Sequence, residues 1–259
     1  MHKLLVCIPF HYSDQSNYTQ YLKQVIDEFL TNYTKHVEVT IIIDTNCDKG
    51  LECVFSLYPD IIGKIIHVKI NRNLGHPFFL TWQHRRHIQE NIDKYDVFMY
   101  VECDIKLPYE NYENFLENFD LIWPRGVPIL FRIEFNRKGE MHSSDAEKHH
   151  LIKKSELVDY GGKKFVHQLD HPLPYHAMWI CPQKVLKSLI GPDFVKETIS
   201  RETAASFLIW EVKKDGHLEI ENRGVSPKAY VYHLPNNYAS VEGRLGQIKA
   251  KDAVQIIDD

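Results

Sequence analysis

Residues 96–104 read DVFMYVECD, an apolar run that passes directly into two carboxylates, Glu102 and Asp104. The apolar residues are continuous rather than alternating, which predicts a strand over Asp96–Val101 that is covered by helices on both faces. In an open α/β sheet, ligands bind beyond the carboxyl ends of the strands. This stretch therefore predicts the type of fold and, at its end, the position of a site.

Three similar runs precede this one, and amphipathic stretches separate them. The predicted strands are Leu4–Phe10 (LLVCIPF), Val37–Ile43 (VEVTIII) and Lys64–Ile70 (KIIHVKI), and the predicted helices cover residues 18–33 and 78–95. Strands and helices that alternate in this order indicate a mostly parallel sheet with crossover helices. The first half of the chain thus predicts an α/β, Rossmann-like fold with helices on both sides of a central sheet.

The second half of the chain has a weaker pattern. Strands are predicted over residues 128–135, 175–180 and 229–233, and helices over 183–190 and 202–214. Residues 136–165 are polar, rich in Lys and His, and without clear periodicity. A segment of this kind predicts a long loop, and loops of such length often close over a binding site.

Composition narrows the class of protein. The 259 residues are 44% hydrophobic and 25% charged, with a formal net charge of −4, which is ordinary for a globular protein and unlike the basic surface of a nucleic-acid-binding protein. No apolar run is long enough to span a membrane, and no signal-peptide pattern follows Met1. The five cysteines include no C-x-x-C pair, which favours a reducing compartment. We therefore expect a cytoplasmic protein with no nucleic-acid partner and no membrane span.

Polar residues stand at the end of every strand predicted in the first half. They are Pro9 and His11 after the first strand, Asp44 after the second, Asn71 and Asn73 after the third, and Glu102 and Asp104 after the fourth. Two carboxylates in an E-x-D pattern suit Mn²⁺ or Mg²⁺, which bind one or two carboxylates together with substrate phosphates. The pair could instead lie in a solvated turn before the next helix, but the matching Asp44 favours a site.

Three segments, in this order along the chain, resemble the first half of GT-A glycosyltransferases. They are IIIDTN (41–46), NRNLG (71–75) and FMYVECDI (98–105), in which E-x-D stands where the family has its D-x-D signature. The segment HPFFLTWQHRR (76–86) adds a similarity to soluble glycosyltransferases of algae and of large DNA viruses of algae. The resemblance implies a GT-A-like fold in a single domain over residues 1–259. Residues 1–110 would bind the nucleotide-sugar, 111–235 would bind the acceptor, and 236–259 would form a tail.

The resemblance also implies a set of nucleotide-binding residues. Pro9 and His11 would lie beside the base, Asp44 would bind the base or ribose, Asn73 and Arg85 would lie near the ribose and diphosphate, and Glu102 would contact the ribose or the metal through water. Three of them have structural alternatives. Asp44 could cap a turn, Asn73 could take a left-handed conformation beside Gly75, and Arg85 could pair with Glu90 on a helix surface.

The metal set implied by the resemblance is Asp104, Glu102 and His233. His233 ends the predicted strand AYVYH, and several members of the family complete the metal shell with a late His. Neutral imidazole suits Mn²⁺ better than Mg²⁺. A single His at the end of a strand is more often structural, so this assignment depends on the E-x-D pair.

An inverting glycosyltransferase needs a general base that takes the proton of the acceptor hydroxyl. Glu202, in the sequence Ser200-Arg201-Glu202-Thr203, resembles the carboxylate at the helix start of the family and is the preferred candidate; Glu134 and Asp170 are its rivals. The alternative is that Ser200 is an N-cap and that Glu202 only complements the helix dipole.

Together these observations predict a metal-dependent transfer of sugar from a nucleoside-diphosphate donor, a UDP-sugar in the first instance, to a hydroxyl of a glycan, with inversion. One alternative is a sugar-phosphate nucleotidyltransferase, but such enzymes begin with a Gly-rich basic loop, and PFHYSDQSNY (9–18) contains no Gly. The other alternative is a non-catalytic carbohydrate-binding protein with the same fold.

Overall fold

The computed structural model describes residues 1–144, 150–167, 177–205, 218–221, 227–239, 249–250 and 254–257. The chain forms two compact units. Unit 1 consists of Met1–Ile105 and Ala177–Leu208, and unit 2 consists of Lys106–His176 and Ile209–Asp259. Each unit has its own buried residues. Unit 1 contains a five-stranded sheet, and the strands of unit 2 form smaller sheets.

The strands and helices of the described residues follow in chain order. The strands are β1 (Lys3–Phe10), β2 (Glu38–Thr45), β3 (Ile66–Ile70), β4 (Val97–Val101), β5 (Ile105–Lys106), β6 (Gly126–Ile129), β7 (Phe131–Phe135), β8 (Met141–Ser143), β9 (His150–Lys153), β10 (Leu157–Tyr160), β11 (Lys163–His167), β12 (Met178–Pro182), β13 (Leu218–Glu221), β14 (Tyr230–His233) and β15 (Val254–Ile257). The helices are α1 (Tyr18–Thr31), α2 (Asp48–Leu57), α3 (His84–Asn91), α4 (Tyr109–Ile122), α5 (Gln183–Leu189) and α6 (Arg201–Ala205), with short 3₁₀ turns between them.

Unit 1 is built on a five-stranded sheet in the order β12-β4-β1-β2-β3. Strands β1 to β4 are parallel, and β12 alone runs antiparallel, beside β4. The side chains of β1 are buried from Leu4 to Phe10, and all five residues of β4 are buried. Each fully buried aliphatic side chain contributes about 1.5–3 kcal/mol. The predicted mostly parallel α/β sheet is therefore confirmed, and its continuous apolar strands form the core.

The helical pattern of unit 1 is confirmed for α1 and corrected elsewhere. Leu22, Val25, Ile26 and Phe29 are the buried apolar face of α1, as their spacing predicts. The single helix predicted over 78–95 is instead a 3₁₀ segment, Pro77–Trp82, followed by α3. Pro77 starts the 3₁₀ turn, and the His76 side chain accepts a hydrogen bond from the Phe78 amide. Helix α2 lies in a stretch for which no helix was predicted.

Unit 2 contains helix α4 and several short strands. One sheet has the strand order β10-β11-β13-β6. In a second sheet, β7 pairs with both β14 and β8. Strand β15 pairs with β9. Ile122 of α4 packs with Tyr160 and Phe165 in one buried cluster. The strand predicted over 128–135 is divided at Leu130 into β6 and β7.

Short strands lie within the polar segment 136–165, which was predicted to be a long loop. Strands β8, β9 and β10 and the start of β11 lie in this segment. Strands β10 and β11 form a hairpin in which Tyr160 pairs with Lys163, and Gly161 and Gly162 both have positive φ, 60° and 84°. Two residues with positive φ are what a tight hairpin turn requires. The Gly-Gly pair is the sequence signal of this hairpin. It was not recognised because the segment around it shows no clear periodicity.

Parts of other predicted elements lie outside the described residues. Of the helix predicted over 202–214, the structure describes Arg201–Ala205, and the strand predicted over 175–180 is described from Met178 onward. Asp170 also lies outside the described residues. Among the helices that the structure does describe, none combines the length and the apolar character needed to cross a bilayer.

Replacing Gly50 with Ala tests the packing of α2 against the end of β2 and the loop after β1. A Cβ at Gly50 would stand 2.0 Å from Thr45 Oγ1 and 3.1 Å from Tyr12 Cβ. Ala gains about 1 kcal/mol over Gly in a helix, but inserting a methyl group into a packed site costs about 1–3 kcal/mol and has no space to relax here. We expect Gly50→Ala to lower the free energy of unfolding by up to about 2 kcal/mol in denaturant titrations.

Gly191→Ala is the matched control for that substitution. No atom lies within 4 Å of a Cβ built at Gly191. This variant should be neutral or more stable by up to about 1 kcal/mol, because Ala restricts the unfolded chain. Equal stability changes in the two variants would contradict the packing described for Gly50.

Candidate functional site

A pocket of about 430 Å³ opens at the carboxyl edge of the unit 1 sheet. Its lining residues come from the end of β1 and the loop after it, from the 3₁₀ segment and from the turn after β4; they are Pro9, His11, Ser13, Ser16, Tyr18, Pro77, Phe78, Leu80, Thr81, Glu102, Cys103 and Asp104. Four of the predicted site residues, Pro9, His11, Glu102 and Asp104, are thus brought together. The lining includes neither Asp44, Asn73 nor Arg85.

Glu102 and Asp104 lie in a tight turn directly after β4. The Glu102 amide donates to the Ala177 carbonyl at 2.9 Å, and the Ile105 amide donates to the Glu102 carbonyl at 3.0 Å. Both carboxylates are buried, with 6% and 4% of their surface exposed, and the Tyr100 hydroxyl donates to Glu102 Oε1 at 3.4 Å. The backbone of β4 and its neighbour therefore fixes both carboxylates at the floor of the pocket.

Ala177 is in an unusual conformation beside this turn. Its φ of 55° lies in the left-handed region, and the residue is fully buried. For a residue with a side chain, this conformation costs about 1–2 kcal/mol. Such strain concentrates at functional sites. Here it occurs at the residue whose carbonyl accepts the hydrogen bond from the Glu102 amide.

The donor set of the pocket fits a hard divalent cation. Glu102 and Asp104 offer carboxylate oxygens, and Mn²⁺ or Mg²⁺ completes such a set with waters and substrate phosphates. Among the described residues, the pocket lining contains no Lys or Arg. Among the described residues, no group of three or more His, Cys, Asp or Glu side chains is placed to hold a metal ion. Glu102 and Asp104 are the carboxylate donors that the described lining offers to such a cation.

Asp44 connects three elements of unit 1 beneath the sheet edge. Its Oδ1 accepts from Asn71 Nδ2 at 2.8 Å and from His87 Nε2 at 3.0 Å, which joins the ends of β2 and β3 to α3. The carboxylate is buried, with 2% of Asp44 exposed. These contacts support a structural role, and contact of Asp44 with a base or ribose stays a prediction.

Arg85 has a structural position inside unit 1, and its role near the ribose and diphosphate stays a prediction. Arg85 is buried; Nη1 donates to the Phe194 carbonyl at 3.0 Å and Nη2 to the Thr203 carbonyl at 3.2 Å. Its guanidinium also lies 4.1 Å from the centroid of the Trp82 ring. The side chain therefore ties α3 to later segments of unit 1. It neither lines the pocket nor lies on the helix surface where Glu90 was the expected partner.

Asn73 and His84 also have structural positions. Asn73 is exposed and has a φ of 60°, so the predicted left-handed turn is confirmed, and its contact with ribose stays a prediction. His84 donates from Nδ1 to the Thr81 carbonyl at 2.6 Å and packs against Tyr100. Burial holds the pKa of His84 well below its usual value, so this side chain is neutral at physiological pH.

Glu134 and His233 lie together inside unit 2. His233 Nδ1 donates to Glu134 Oε1, and Glu134 Oε2 accepts from the amides of Tyr238 at 2.8 Å and Ala239 at 2.7 Å. Burial raises the pKa of Glu134, but the hydrogen bonds from His233 and the two amides outweigh it and lower the pKa overall. A carboxylate held in this way is a weak base, so the geometry favours a structural role for Glu134. The role of His233 as a metal ligand stays a prediction.

Ser200 is the N-cap of α6, as the alternative interpretation of this segment predicts. Its Oγ accepts from the Thr203 amide at 3.1 Å, and the two hydroxyls lie 2.8 Å apart. Glu202 follows in the first turn of α6. Its role as general base stays a prediction, as does that of Asp170.

Sequence reasoning missed Asn46 and the hydroxyl side chains of the pocket. Asn46 follows Asp44-Thr45 at the end of β2 and contacts the loop after β1. Like Asp44, Asn46 follows a predicted strand, and this position could have indicated a residue near the site. Ser13, Ser16 and Thr81 carry no comparable signal, because they lie in loop and 3₁₀ segments whose direction no periodicity gives.

No protein-family model matches the sequence, and no curated protein matches it. Among solved structures, the chain is similar to GalNAc-T7 in a structure with UDP, GalNAc and Mn²⁺, with a TM-score of 0.50, 12% identity, and coverage of 94% of this chain and 44% of that one. It is also similar to 4-diphosphocytidyl-2C-methyl-D-erythritol synthase, with a TM-score of 0.48, 13% identity, and coverage of 88% and 91%.

A third similar structure is CMP:2-keto-3-deoxy-manno-octonic acid synthetase with CTP, with a TM-score of 0.44, 12% identity, and coverage of 85% and 88%. At these identities the similarity concerns the fold. The similarity to GalNAc-T7 supports the α/β fold described above. The predicted similarity to algal and viral glycosyltransferases is not addressed by these structures and stays a prediction.

Proposed function

We propose that the unit 1 pocket binds a nucleoside-diphosphate sugar together with Mn²⁺ or Mg²⁺, and that the protein transfers the sugar to a hydroxyl of a glycan. The observation that carries this proposal is the pair of buried carboxylates, Glu102 and Asp104, at the strand ends of a GT-A-like sheet. Ligands of open α/β sheets bind at that edge. A UDP-sugar is the first donor to test.

The pocket lining combines two carboxylates with apolar and aromatic side chains. Glu102 and Asp104 would hold the cation, which stabilises the negative charge of the departing diphosphate. Pro9, Tyr18 and Phe78 offer apolar and aromatic surface to a base or sugar. The diphosphate would be held through the cation that Glu102 and Asp104 bind. We therefore expect that both donor binding and turnover need the metal.

The transfer itself is a single displacement in the inverting form of the proposal. The acceptor oxygen forms a bond to the anomeric carbon while the bond from that carbon to the diphosphate oxygen breaks. The proton of the acceptor hydroxyl passes to a general base, for which Glu202 is the proposed residue. The nucleoside diphosphate leaves with the electron pair of the broken bond, so the atoms and charges balance without a covalent intermediate on the protein.

Release of nucleoside diphosphate from a nucleotide-sugar tests this function. With Mn²⁺ and a mixture of glycan acceptors, we expect release of UDP from a UDP-sugar above the slow rate seen without acceptor, and loss of release when EDTA removes the metal. A nucleotidyltransferase would instead consume a nucleoside triphosphate and a sugar phosphate and release pyrophosphate. A carbohydrate-binding protein would bind glycans and release neither product. Failure of every nucleoside-diphosphate sugar in this assay would contradict the proposal.

The nucleotidyltransferase alternative is less well supported by the pocket. Triphosphate sites use Gly-rich loops and Lys or Arg to hold the phosphates. The loop after β1, residues 11–17, contains neither Gly, Lys nor Arg. The same loop lines the pocket through His11, Ser13 and Ser16.

A further inference from the structure

The loop after β1 is held to the end of β2 by one side chain, Asn46. The Tyr12 amide donates to Asn46 Oδ1 at 2.7 Å, and Asn46 Nδ2 donates to the Tyr12 carbonyl at 3.3 Å. The same Nδ2 lies 3.4 Å from His11 Nε2, with which it can form a third hydrogen bond. A single carboxamide thus satisfies both backbone groups of Tyr12 and reaches the ring of the preceding residue.

Of the two residues that Asn46 holds, His11 belongs to the wall of the pocket. His11 lines the pocket, as do Ser13 and Ser16 of the same loop. Tyr12 itself turns away from that lining and packs edge-on against Phe10 of β1, with ring centroids 6.1 Å apart. Asn46 is half-buried and does not line the pocket, so it would act on a ligand only through His11 and Tyr12.

A second link joins this loop to α2, but it is of a different kind. Asp14 accepts from Lys49 Nζ at 2.8 Å and from the Tyr12 hydroxyl at 2.9 Å. The side chains of Lys49 and Asp14 are both 64% exposed. Exposed ion pairs contribute little to stability. The fixed geometry of the His11–Tyr12 corner therefore depends on the neutral hydrogen bonds of Asn46.

We infer that Asn46 is a positioning residue of the pocket: its carboxamide fixes the His11–Tyr12 corner of the wall and thereby sets the affinity of the pocket for the nucleotide. The identity of that ligand rests on the proposed function, whereas the anchoring of the loop does not. When supporting contacts hold the residues of a site within about half an ångström of their positions in the complex, the ligand binds without first ordering the wall of the site. Loss of the anchor adds that ordering to the cost of binding.

Two substitutions separate the anchor from general stability. Asn46→Ala removes all three hydrogen bonds. Asn46→Asp keeps an oxygen that accepts from the Tyr12 amide but removes the donor that faces the Tyr12 carbonyl and His11 Nε2. Lys49→Ala is the matched control, because it removes the other link to the same loop without touching His11 or Tyr12.

The first measurement is hydrogen exchange of the Tyr12 amide in the protein without ligand. Because this amide donates to Asn46, we expect it to exchange at least about tenfold faster in Asn46→Ala and to keep its protection in Asn46→Asp and Lys49→Ala. Unchanged exchange in Asn46→Ala would overturn the inference, whatever the ligand of the pocket is.

The second measurement is the dissociation constant of UDP with saturating Mn²⁺. We expect an increase of roughly tenfold in both Asn46 variants and less than about twofold in Lys49→Ala. The melting temperature of each variant, recorded in parallel, separates a loss of affinity from a loss of stability. Wild-type affinity in both Asn46 variants would overturn the inference. If the wild-type protein bound no nucleotide, the proposed function would fail, while the exchange result would still support or overturn the anchor.

Discussion

Replacing Asp104 with Asn is expected to lower the rate of sugar transfer by roughly 100-fold or more. Asp104 is buried in the pocket, in the turn after β4, and the amide removes the negative oxygen that a hard cation prefers. Asn has nearly the size of Asp, so the turn should keep its conformation. The measurement is kcat/KM for a UDP-sugar and acceptor over a range of Mn²⁺ concentrations, with the melting temperature recorded in parallel.

Asp93→Asn is the control for that variant. Asp93 also belongs to unit 1, but its side chain is 81% exposed and pairs with Lys187 at 2.6 Å. An exposed pair of this kind contributes between about 0 and 1 kcal/mol, so its loss should leave transfer unchanged. Near-normal activity of Asp104→Asn at saturating Mn²⁺ would contradict the assignment of Asp104 as a metal ligand.

Replacing Glu202 with Gln is expected to lower kcat by roughly 10²–10⁴-fold, which is typical of a lost general base. Donor and metal binding should persist, because Glu102 and Asp104 are untouched. Slow hydrolysis of the donor should also persist, since it depends on the departure of the diphosphate. Single-turnover rates with acceptor, together with the dissociation constant of UDP, measure the two effects separately.

The competing hypothesis is that Glu202 only supports the start of α6, which Ser200 already caps. It predicts a loss of about 0.3–1 kcal/mol in stability and little change in kcat. Glu134→Gln is the matched control, because Glu134 is held by His233 and two backbone amides, and its loss is expected to act on the stability of unit 2. An unchanged kcat in Glu202→Gln would transfer the role of base to another residue, with Asp170 the next to replace.

The fold of unit 1 could be predicted from the sequence because its signals are local. Strand β1 is buried from Leu4 to Phe10 and β4 along its whole length, so their apolar runs are continuous, and α1 has a single buried face. Unit 2 lacks such signals. Strands β10 and β11 are short, and β11 begins with the exposed Lys163 and Lys164, so this segment resembles a loop in composition. Only the glycine pair between them marks the hairpin.

The same difference applies to the candidate site. Glu102 and Asp104 could be placed at the pocket because they follow a buried strand, whose end defines the edge of the sheet. Arg85 could not, because the direction of its side chain depends on how α3 packs, and the structure turns it towards Trp82 and the Phe194 carbonyl. The role of Asn46 depends on a contact between two loops that are 34 residues apart in the chain, and no local pattern contains it.

The central claim is that the unit 1 pocket binds a nucleoside diphosphate only together with a divalent cation. Its most direct test is the shift in melting temperature caused by UDP with and without Mn²⁺, with uridine and with Mn²⁺ alone as controls. A ligand at about 100 times its dissociation constant stabilises the folded state by about 2.7 kcal/mol. We predict a clear upward shift with UDP and Mn²⁺ together and almost none with UDP in the presence of EDTA. An equal shift by UDP with and without the metal, or no shift by any nucleoside diphosphate with Mn²⁺, would contradict the claim.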